Sequence, residues 1–110
     1  MIDYSDFEKV DIRVGKIIEV EDYLVAKKPS YKLTINFGEK IGIKKSIGQF
    51  KNNYTVNELK GLLVACVINL PPRQIGPSTS EVLTLGFPDS FSNAILISPT
   101  SEVPLGGKLF

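Results

Sequence analysis

Polar side chains that could bind a ligand cluster in the middle of the sequence, within two runs that alternate between apolar and polar residues. The cluster contains Lys32, Asn36, Lys44, Lys45, Ser46 and Gln49. Lysines on one face of a sheet are suited to phosphate groups, and the nearby rings of Tyr31 or Phe50 are suited to stacking on an unpaired base. The same pattern also fits a strand whose polar side chains are simply solvated. Both interpretations of this cluster stay open.

A second candidate follows a long apolar run, where Asn69 and Leu70 lead into two prolines and then Arg73. An arginine can hold a phosphate or a carboxylate through two parallel hydrogen bonds. The two prolines restrict the backbone before the arginine, which reduces the conformational entropy that is lost on binding. The alternative is a structural arginine that pairs with Glu81 or with a backbone carbonyl group.

The third candidate is the segment of residues 78–81, where hydroxyl groups and one carboxylate follow a Gly-Pro turn. Ser80 and Glu81 are candidates for lining a pocket, or they belong to a loop that begins the next strand.

Cys66 lies in the most apolar run of the chain. We expect it to be an inert packing residue, as most buried free cysteines are.

The chain contains few of the residue patterns that catalysis and metal binding require. It has no histidine, which excludes histidine-based acid–base catalysis and histidine-ligated metals, and its one cysteine excludes a cysteine-cluster zinc site. The carboxylates are spread along the chain, and no two of them have the spacing of a catalytic motif. No glycine-rich loop of the Gly-Lys-Ser/Thr type is present. We therefore expect no enzyme activity, no metal site and no cofactor.

The charge balance of the chain conceals an uneven distribution. Lysine and arginine total 13 against 12 acids, a net charge of +1. Residues 1–22 have a net charge of −4, residues 23–60 of +6, and residues 61–110 of −1. A basic middle segment between acidic ends favours a local binding face over binding by overall charge.

Length, composition and cysteine content predict one globular domain in a reducing compartment. The chain has 110 residues and 43% hydrophobic content, enough for a core, so we expect one domain over residues 1–110. A single cysteine favours the cytoplasm. Residues 1–10 are mixed and acidic, and the longest apolar run, residues 62–68, is far below the ~20 residues that span a bilayer. We expect neither a cleaved signal segment nor membrane insertion.

Periodicity predicts a series of short strands and two short helices. Ser5 and Glu8, and again Thr55 and Glu58, have the spacing of a helical capping box. Gly15 suggests a bend or bulge in the first strand. The predicted elements are a helical turn at residues 5–8, strands at 12–20, 31–37 and 41–47, a helix at 56–60, strands at 62–70, 82–87 and 94–97, and a short tail at 103–110.

The order of these elements predicts an all-β fold, a five-stranded OB-fold barrel. Its diagnostic feature is a short helix between the third and fourth strands. The runs at 62–70 and 82–87 carry apolar residues on both faces, more than a small barrel can bury inside. We expect a partner subunit or an apolar ligand to cover the surplus.

Three segments resemble the tRNA-binding OB domain family, which includes the C-terminal extension of methionyl-tRNA synthetases and the endothelial-monocyte-activating-polypeptide type. They are residues 11–17 (DIRVGKI), 32–38 (KLTINFG) and 69–75 (NLPPRQI), and the resemblance runs from about residue 7 to residue 108. Residues 29–33, 41–46 and 80–86 are most similar to the CsaA-type branch of stand-alone, export-related chaperones. Gln74 stands where tRNA binders of the family often have a second basic residue.

The resemblance implies an OB-fold homodimer whose N-terminal helix and C-terminal strands build the dimer contact. It also implies binding of unfolded or export-destined polypeptides without ATP, and possible contacts with the export machinery. The alternative that it implies is tRNA binding by the same face. Either ligand would use the candidate residues above, with Lys32, Lys44, Lys45 and Arg73 attracting the negative charges.

Overall fold

The long strand β1, Ile12–Tyr23, organises the fold, because two different strands pair with it along its length. Its first residues, 12–16, pair antiparallel with β4, Leu63–Val67, and residues 16–23 pair antiparallel with β2, Ser30–Asn36. On its other side β2 pairs with β3, Ile43–Gly48. The structure is a computed structural model that describes all residues, 1–110.

The remaining elements are short. They are the helices α1, Tyr4–Glu8, and α2, Val56–Leu59, and the strands β5, Arg73–Ile75, β6, Ser78–Ser80, β7, Leu83–Thr84, β8, Gly86–Pro88, and β9, Ala94–Leu96. Strands β5 and β6 form one hairpin, and β8 and β9 form another. Neither helix has the length and apolar character that crossing a membrane requires.

The main sheet has the strand order β3-β2-β1-β4-β7 and curls until its two ends meet. The backbone carbonyl of Lys45 in β3 accepts hydrogen bonds from the N–H groups of Glu81 (2.8 Å) and Val82 (3.3 Å), which directly precede β7. Inside this seam, the hydroxyls of Ser46 and Thr84 are 2.7 Å apart. The predicted OB-type barrel, with α2 between β3 and β4, is confirmed.

The core is filled by one face of β2 together with residues from β1, α2 and β4. Its fully buried hydrophobic side chains are Ile17, Leu33, Ile35, Phe37, Leu59, Val64 and Cys66. The apolar members of the alternating run at residues 31–37, Tyr31, Leu33, Ile35 and Phe37, are all buried, so that pattern correctly predicted the buried face. The Thr55 capping box of α2 is also present, and the hydrogen bond from the Thr55 N–H holds the pKa of Glu58 below its ordinary value.

Gly15 permits the closest approach in the barrel. A Cβ atom at this position would lie 2.5 Å from Cγ2 of Ile35 and 2.7 Å from Cε1 of Phe37. A bend or a bulge was predicted at Gly15. The bulge of β1 lies at Ile18, where the register with β2 shifts between Ile17 and Glu19. Gly15 is therefore a packing position rather than a bulge.

Three local predictions differ from the structure. Helix α1 begins before Ser5, and its N-cap residue is Asp3. The Asp6 carboxylate accepts a hydrogen bond from the Asp3 N–H at 3.1 Å. The predicted strand at residues 82–87 is divided between β7 and β8. Residues 73–80, where no strand was predicted, form the β5–β6 hairpin.

The C-terminal tail forms no regular strand, but it covers the edge of β1 that β2 leaves unpaired. The Val14 backbone bonds to Gly106 (2.8 Å) and Gly107 (3.2 Å), and the Leu109 N–H donates to Ile12 (2.8 Å). Gly106 has φ +85°, and a Cβ there would lie 2.5 Å from the Phe37 carbonyl oxygen, so only glycine fits.

Replacing Gly15 with alanine should destabilise the barrel, because the added methyl group overlaps two core side chains. We expect Gly15→Ala to lower the free energy of unfolding by about 1–3 kcal/mol, the usual cost of overpacking. Urea denaturation followed by circular dichroism measures this. Gly107→Ala is the control, since its nearest neighbours would be 3.6 and 3.9 Å away. Equal stability of Gly15→Ala and wild type would contradict the packing argument.

Candidate ligand-binding groove

A groove of about 840 Å³ lies between the β1–β2 loop and the β5–β6 hairpin. Residues 25–28 of the loop line one side, residues 73–76 of the hairpin line the other, and residues 46–50 at the end of β3 lie between them. In OB-folds, the loops in these places usually surround the ligand. We call this feature the groove.

The charged residues that line the groove are all cations. They are Lys27 and Lys28 in the loop and Arg73 in the hairpin, and no aspartate or glutamate is among the lining residues. Arg73 takes part in none of the three ion pairs of the chain. A concave surface with charges of one sign attracts ligands of the opposite sign, so the groove is suited to anionic groups.

Between these cations, the groove is largely apolar. Its apolar lining consists of Val25, Ala26, Ile47, Phe50, Ile75, Leu83 and Ala94. Leu83 is 45% exposed, whereas Phe50 is only 7% exposed. Solvent-accessible aliphatic side chains are thus flanked by cations on both sides.

The proline pair and the hairpin register explain the position of Arg73. The prolines at 71 and 72 end the run that contains β4, and β5 then pairs Arg73 with Ser80 and Ile75 with Ser78. The suggested pairing of Arg73 with Glu81 does not occur, because the Glu81 carboxylate accepts from the Lys45 N–H at 2.9 Å. Arg73 is exposed and free to contact a ligand.

Of the residues predicted to form the site, the groove brings together Gln49, Arg73 and Ser46. Gln49 and Arg73 are exposed. Ser46 is 1% exposed and its hydroxyl bonds to Thr84, so its polar group is already paired inside the barrel. It is a core residue of the barrel seam.

A second, shallower depression contains Lys32, Lys45 and Glu81. The ammonium group of Lys32 donates to the Ser78 hydroxyl at 3.1 Å, and that of Lys45 donates to the Thr34 hydroxyl at 2.6 Å. These three side chains therefore have partners within the chain, and they lie outside the lining of the groove.

Three of the predicted polar residues hold backbone groups in place. Asn69 accepts from the Asp11 N–H at 2.9 Å and donates to the Lys9 carbonyl at 2.7 Å. Asn36 accepts from the Gly38 N–H at 2.9 Å, and Ser80 accepts from the Ile47 N–H at 3.0 Å. These bonds indicate structural roles.

Lys44, the last predicted residue, is half-buried and pairs with Ile35 in the ladder, so it lies in neither depression. Sequence reasoning missed Lys27 and Lys28. Two adjacent lysines before Pro29 were a visible signal of a basic loop.

Two other predictions concern buried groups. Tyr31 and Phe50 are each only 7% exposed, so neither ring offers a stacking surface for a base, contrary to the suggestion. Cys66 is buried, as expected, and burial raises the pKa of its thiol to about 11. A thiol that stays protonated is a poor nucleophile. No group of three or more metal-ligating side chains is assembled.

A second surface lies away from the groove and is strongly apolar. We call it the terminal apolar face. Two cations, Arg13 and Lys108, also line it, and its apolar side chains are Ile12, Val14, Ala65, Ile97, Val103, Leu109 and Phe110. It encloses a volume of about 470 Å³ and continues into a smaller depression of about 170 Å³ against α1. Phe110 is 102% exposed and Leu109 is 42% exposed.

The barrel and its groove define an OB-fold binding domain, and comparison with known proteins identifies which one. The family model described as "Putative tRNA binding domain" matches residues 12–108. The chain is 38% identical to the methionine–tRNA ligase of Nanoarchaeum equitans over 109 residues, which is 99% of this chain but 14% of the ligase.

Two crystal structures of CsaA chaperone proteins are similar over the whole chain. The one from Picrophilus torridus has a TM-score of 0.93 and 45% identity, with 100% of both chains covered. The one from Bacillus anthracis has a TM-score of 0.92 and 33% identity, covering 100% of this chain and 99% of the other. The chain therefore belongs to the tRNA-binding domain family, as a domain of the CsaA type. This is a family of binding domains rather than of catalytic ones.

Proposed function

We propose that the protein is a homodimeric chaperone that binds unfolded or export-destined polypeptides in the groove, in the cytoplasm and without ATP. The observation that carries the proposal is the groove's composition, an accessible apolar lining between cations with no carboxylate. The likeness to CsaA chaperone proteins along the full chain supports it.

The proposed mechanism is passive holding. Apolar side chains of the client are removed from water when they pack against Ile75, Leu83 and their neighbours. Each CH₂ group buried in this way contributes about 0.8 kcal/mol to the binding free energy. Lys27, Lys28 and Arg73 attract acidic residues that flank the client's apolar stretch. Exposed ion pairs contribute at most about 1 kcal/mol each, so the apolar contacts supply most of the affinity and the cations orient the client.

The terminal apolar face supports the dimer. Contiguous exposed apolar surfaces mark interaction sites in monomeric chains, and this face combines a β-sheet surface with the exposed ends of the tail. A second copy of the same chain is the partner with matching chemistry, because a two-fold interface places the same apolar patch on both sides.

Binding of tRNA by the groove is the second candidate function, favoured by the family match and by the three cations. Phosphates would pair with the lysines and the arginine. The groove lacks an exposed aromatic ring, which is the usual platform for unpaired bases. This absence is the reason for placing polypeptide binding first.

The first prediction concerns the cations of the loop. In a light-scattering assay, a several-fold excess of wild type should suppress the aggregation of a chemically denatured client. Lys27→Glu combined with Lys28→Glu should weaken client binding on the order of 10-fold, roughly 1.4 kcal/mol. The control is Lys40→Glu combined with Lys60→Glu, which makes the same charge change at exposed positions outside the groove. No suppression by wild type would contradict the proposal.

The second prediction separates tRNA binding from chaperone activity. If the groove binds tRNA through its three cations, the logarithm of the affinity should fall with the logarithm of the salt concentration with a slope of about −2 to −3. Arg73→Gln should reduce the slope by about 1. Gel shifts at several salt concentrations measure this. Lys44→Glu combined with Lys45→Glu tests the sheet face instead, and greater loss there would exclude the groove as the tRNA site.

The third prediction concerns the dimer. Leu109→Asp combined with Phe110→Asp should give a monomer, because charged side chains that need solvation would replace the apolar contacts of the interface. Light scattering coupled to size-exclusion chromatography measures the mass. Leu24→Asp is the control, an apolar-to-charged change at an 81% exposed loop position outside this face. A wild-type monomer, or a dimer that survives the double substitution, would disprove this interface.

A further inference from the structure

The β5–β6 hairpin, which carries Arg73, is too short to hold its own position. Each of its strands has only three residues, and most of its residues are exposed. Isolated two-stranded hairpins are marginally stable in water. Contacts with the rest of the barrel must therefore fix where Arg73 stands.

The base of the hairpin is fastened to β3. The Ser80 hydroxyl accepts from the Ile47 N–H at 3.0 Å, and Glu81 bonds to the Lys45 backbone through both its carboxylate (2.9 Å) and its N–H (2.8 Å). These bonds hold the end of β6 but do not reach the turn at residues 76–77.

Two side chains of the barrel reach the turn: the Lys32 ammonium group donates to the Ser78 hydroxyl at 3.1 Å. The other is Tyr23, which is the last residue of β1 and only 7% exposed. Its hydroxyl donates to the Ile75 carbonyl and accepts from the Ser78 N–H at 3.1 Å, so it joins both strands where they meet. Gly76, with φ +61°, lets the turn approach closely. A Cβ there would lie 3.2 Å from both the Tyr23 hydroxyl and Cγ2 of Val25.

The same tyrosine directly precedes the other side of the groove. Residues 24–29 follow it without any intervening element and contain Lys27 and Lys28. We propose that Tyr23 is a positioning residue that fixes the hairpin carrying Arg73 relative to the loop carrying the two lysines. This inference rests on the proposed function, since it names a residue that prepares the groove for its client.

Removal of one oxygen atom tests this role with little effect on packing. Tyr23→Phe keeps the buried ring but leaves the Ile75 carbonyl and the Ser78 N–H without their partner. The hairpin would then sample positions away from the loop, and a client would have to order it on binding. Affinity should fall although every charge of the groove remains.

The experiment is a double-mutant cycle in client binding. The probe is fluorescein-labelled, reduced and carboxymethylated α-lactalbumin, which stays unfolded, and fluorescence anisotropy gives its Kd. Tyr23→Phe should weaken binding about 3- to 10-fold in the wild-type background and less than about 2-fold in the Arg73→Gln background, because it acts through Arg73. Tyr54→Phe is the matched control, since its hydroxyl accepts from the Leu96 N–H at 2.9 Å, outside the groove.

Hydrogen exchange supplies a second readout that does not depend on a client. Tyr23→Phe should speed exchange of the amides of residues 75–80, while amides of β2 and β4 keep their wild-type protection. Uniform loss of protection would indicate general destabilisation and overturn the inference. Unchanged protection of residues 75–80 would overturn it as well.

The outcomes for Tyr23 and for the proposed function are distinguishable. A wild type that does not bind the probe contradicts the chaperone proposal, and hydrogen exchange then decides the role of Tyr23 alone. If wild type binds the probe, the chaperone proposal is retained. The inference about Tyr23 is then overturned if Tyr23→Phe lowers the affinity equally in both backgrounds, or if Tyr54→Phe lowers it as much.

Discussion

The barrel depends on the close packing of β1 against side chains of and next to β2 at Gly15, where the space of a side chain is already occupied. Cγ2 of Ile35 and the ring of Phe37 would lie 2.5–2.8 Å from a Cβ atom at this position. Strand β1 pairs with β4 along residues 12–16 and with β2 along residues 16–23, so the two pairings meet next to Gly15. The free edge of β3 then reaches the backbone of Glu81 and Val82 and closes the barrel. A side chain at Gly15 would have to displace Ile35 and Phe37, and so would strain the packing between β1 and β2.

Closure of the barrel also creates the groove. The seam at Lys45 brings the β5–β6 hairpin against β3, and the loop that follows Tyr23 lies on the opposite side. Cations that are far apart in the sequence, Lys28 and Arg73, therefore line one concave surface. The hairpin is mostly exposed, and it is fixed by hydrogen bonds rather than by buried apolar area. A surface held in this way is sensitive to single polar substitutions, which leave the hydrophobic core of the barrel unchanged.

The sequence predicted the elements whose signals are local and repetitive. Alternation at residues 31–37 identified the buried face of β2, and the spacing of Thr55 and Glu58 identified α2. The β5–β6 hairpin escaped prediction because strands of three mostly polar residues show no hydrophobic period. Ser46 was placed on the surface because its polarity favoured solvent, whereas the pairing with Thr84 that buries it joins residues far apart in the chain. Lys27 and Lys28 belong to a loop, where periodicity gives no information, and only the closed barrel shows what they face.

The apolar surplus of β4 and the tail that covers β1 have one structural origin. All four residues from Val64 to Val67 are buried, so β4 packs on both faces, with the core on one side and the terminal apolar face on the other. The tail satisfies the backbone of Ile12 and Val14, yet the same segment leaves Leu109 and Phe110 exposed. It thus completes the polar bonding of the protomer while adding apolar surface that the protomer cannot bury. No residue that lines the terminal apolar face or its extension against α1 also lines the groove. A second copy could therefore cover that face without using any groove residue, which leaves both grooves of the proposed dimer available for clients.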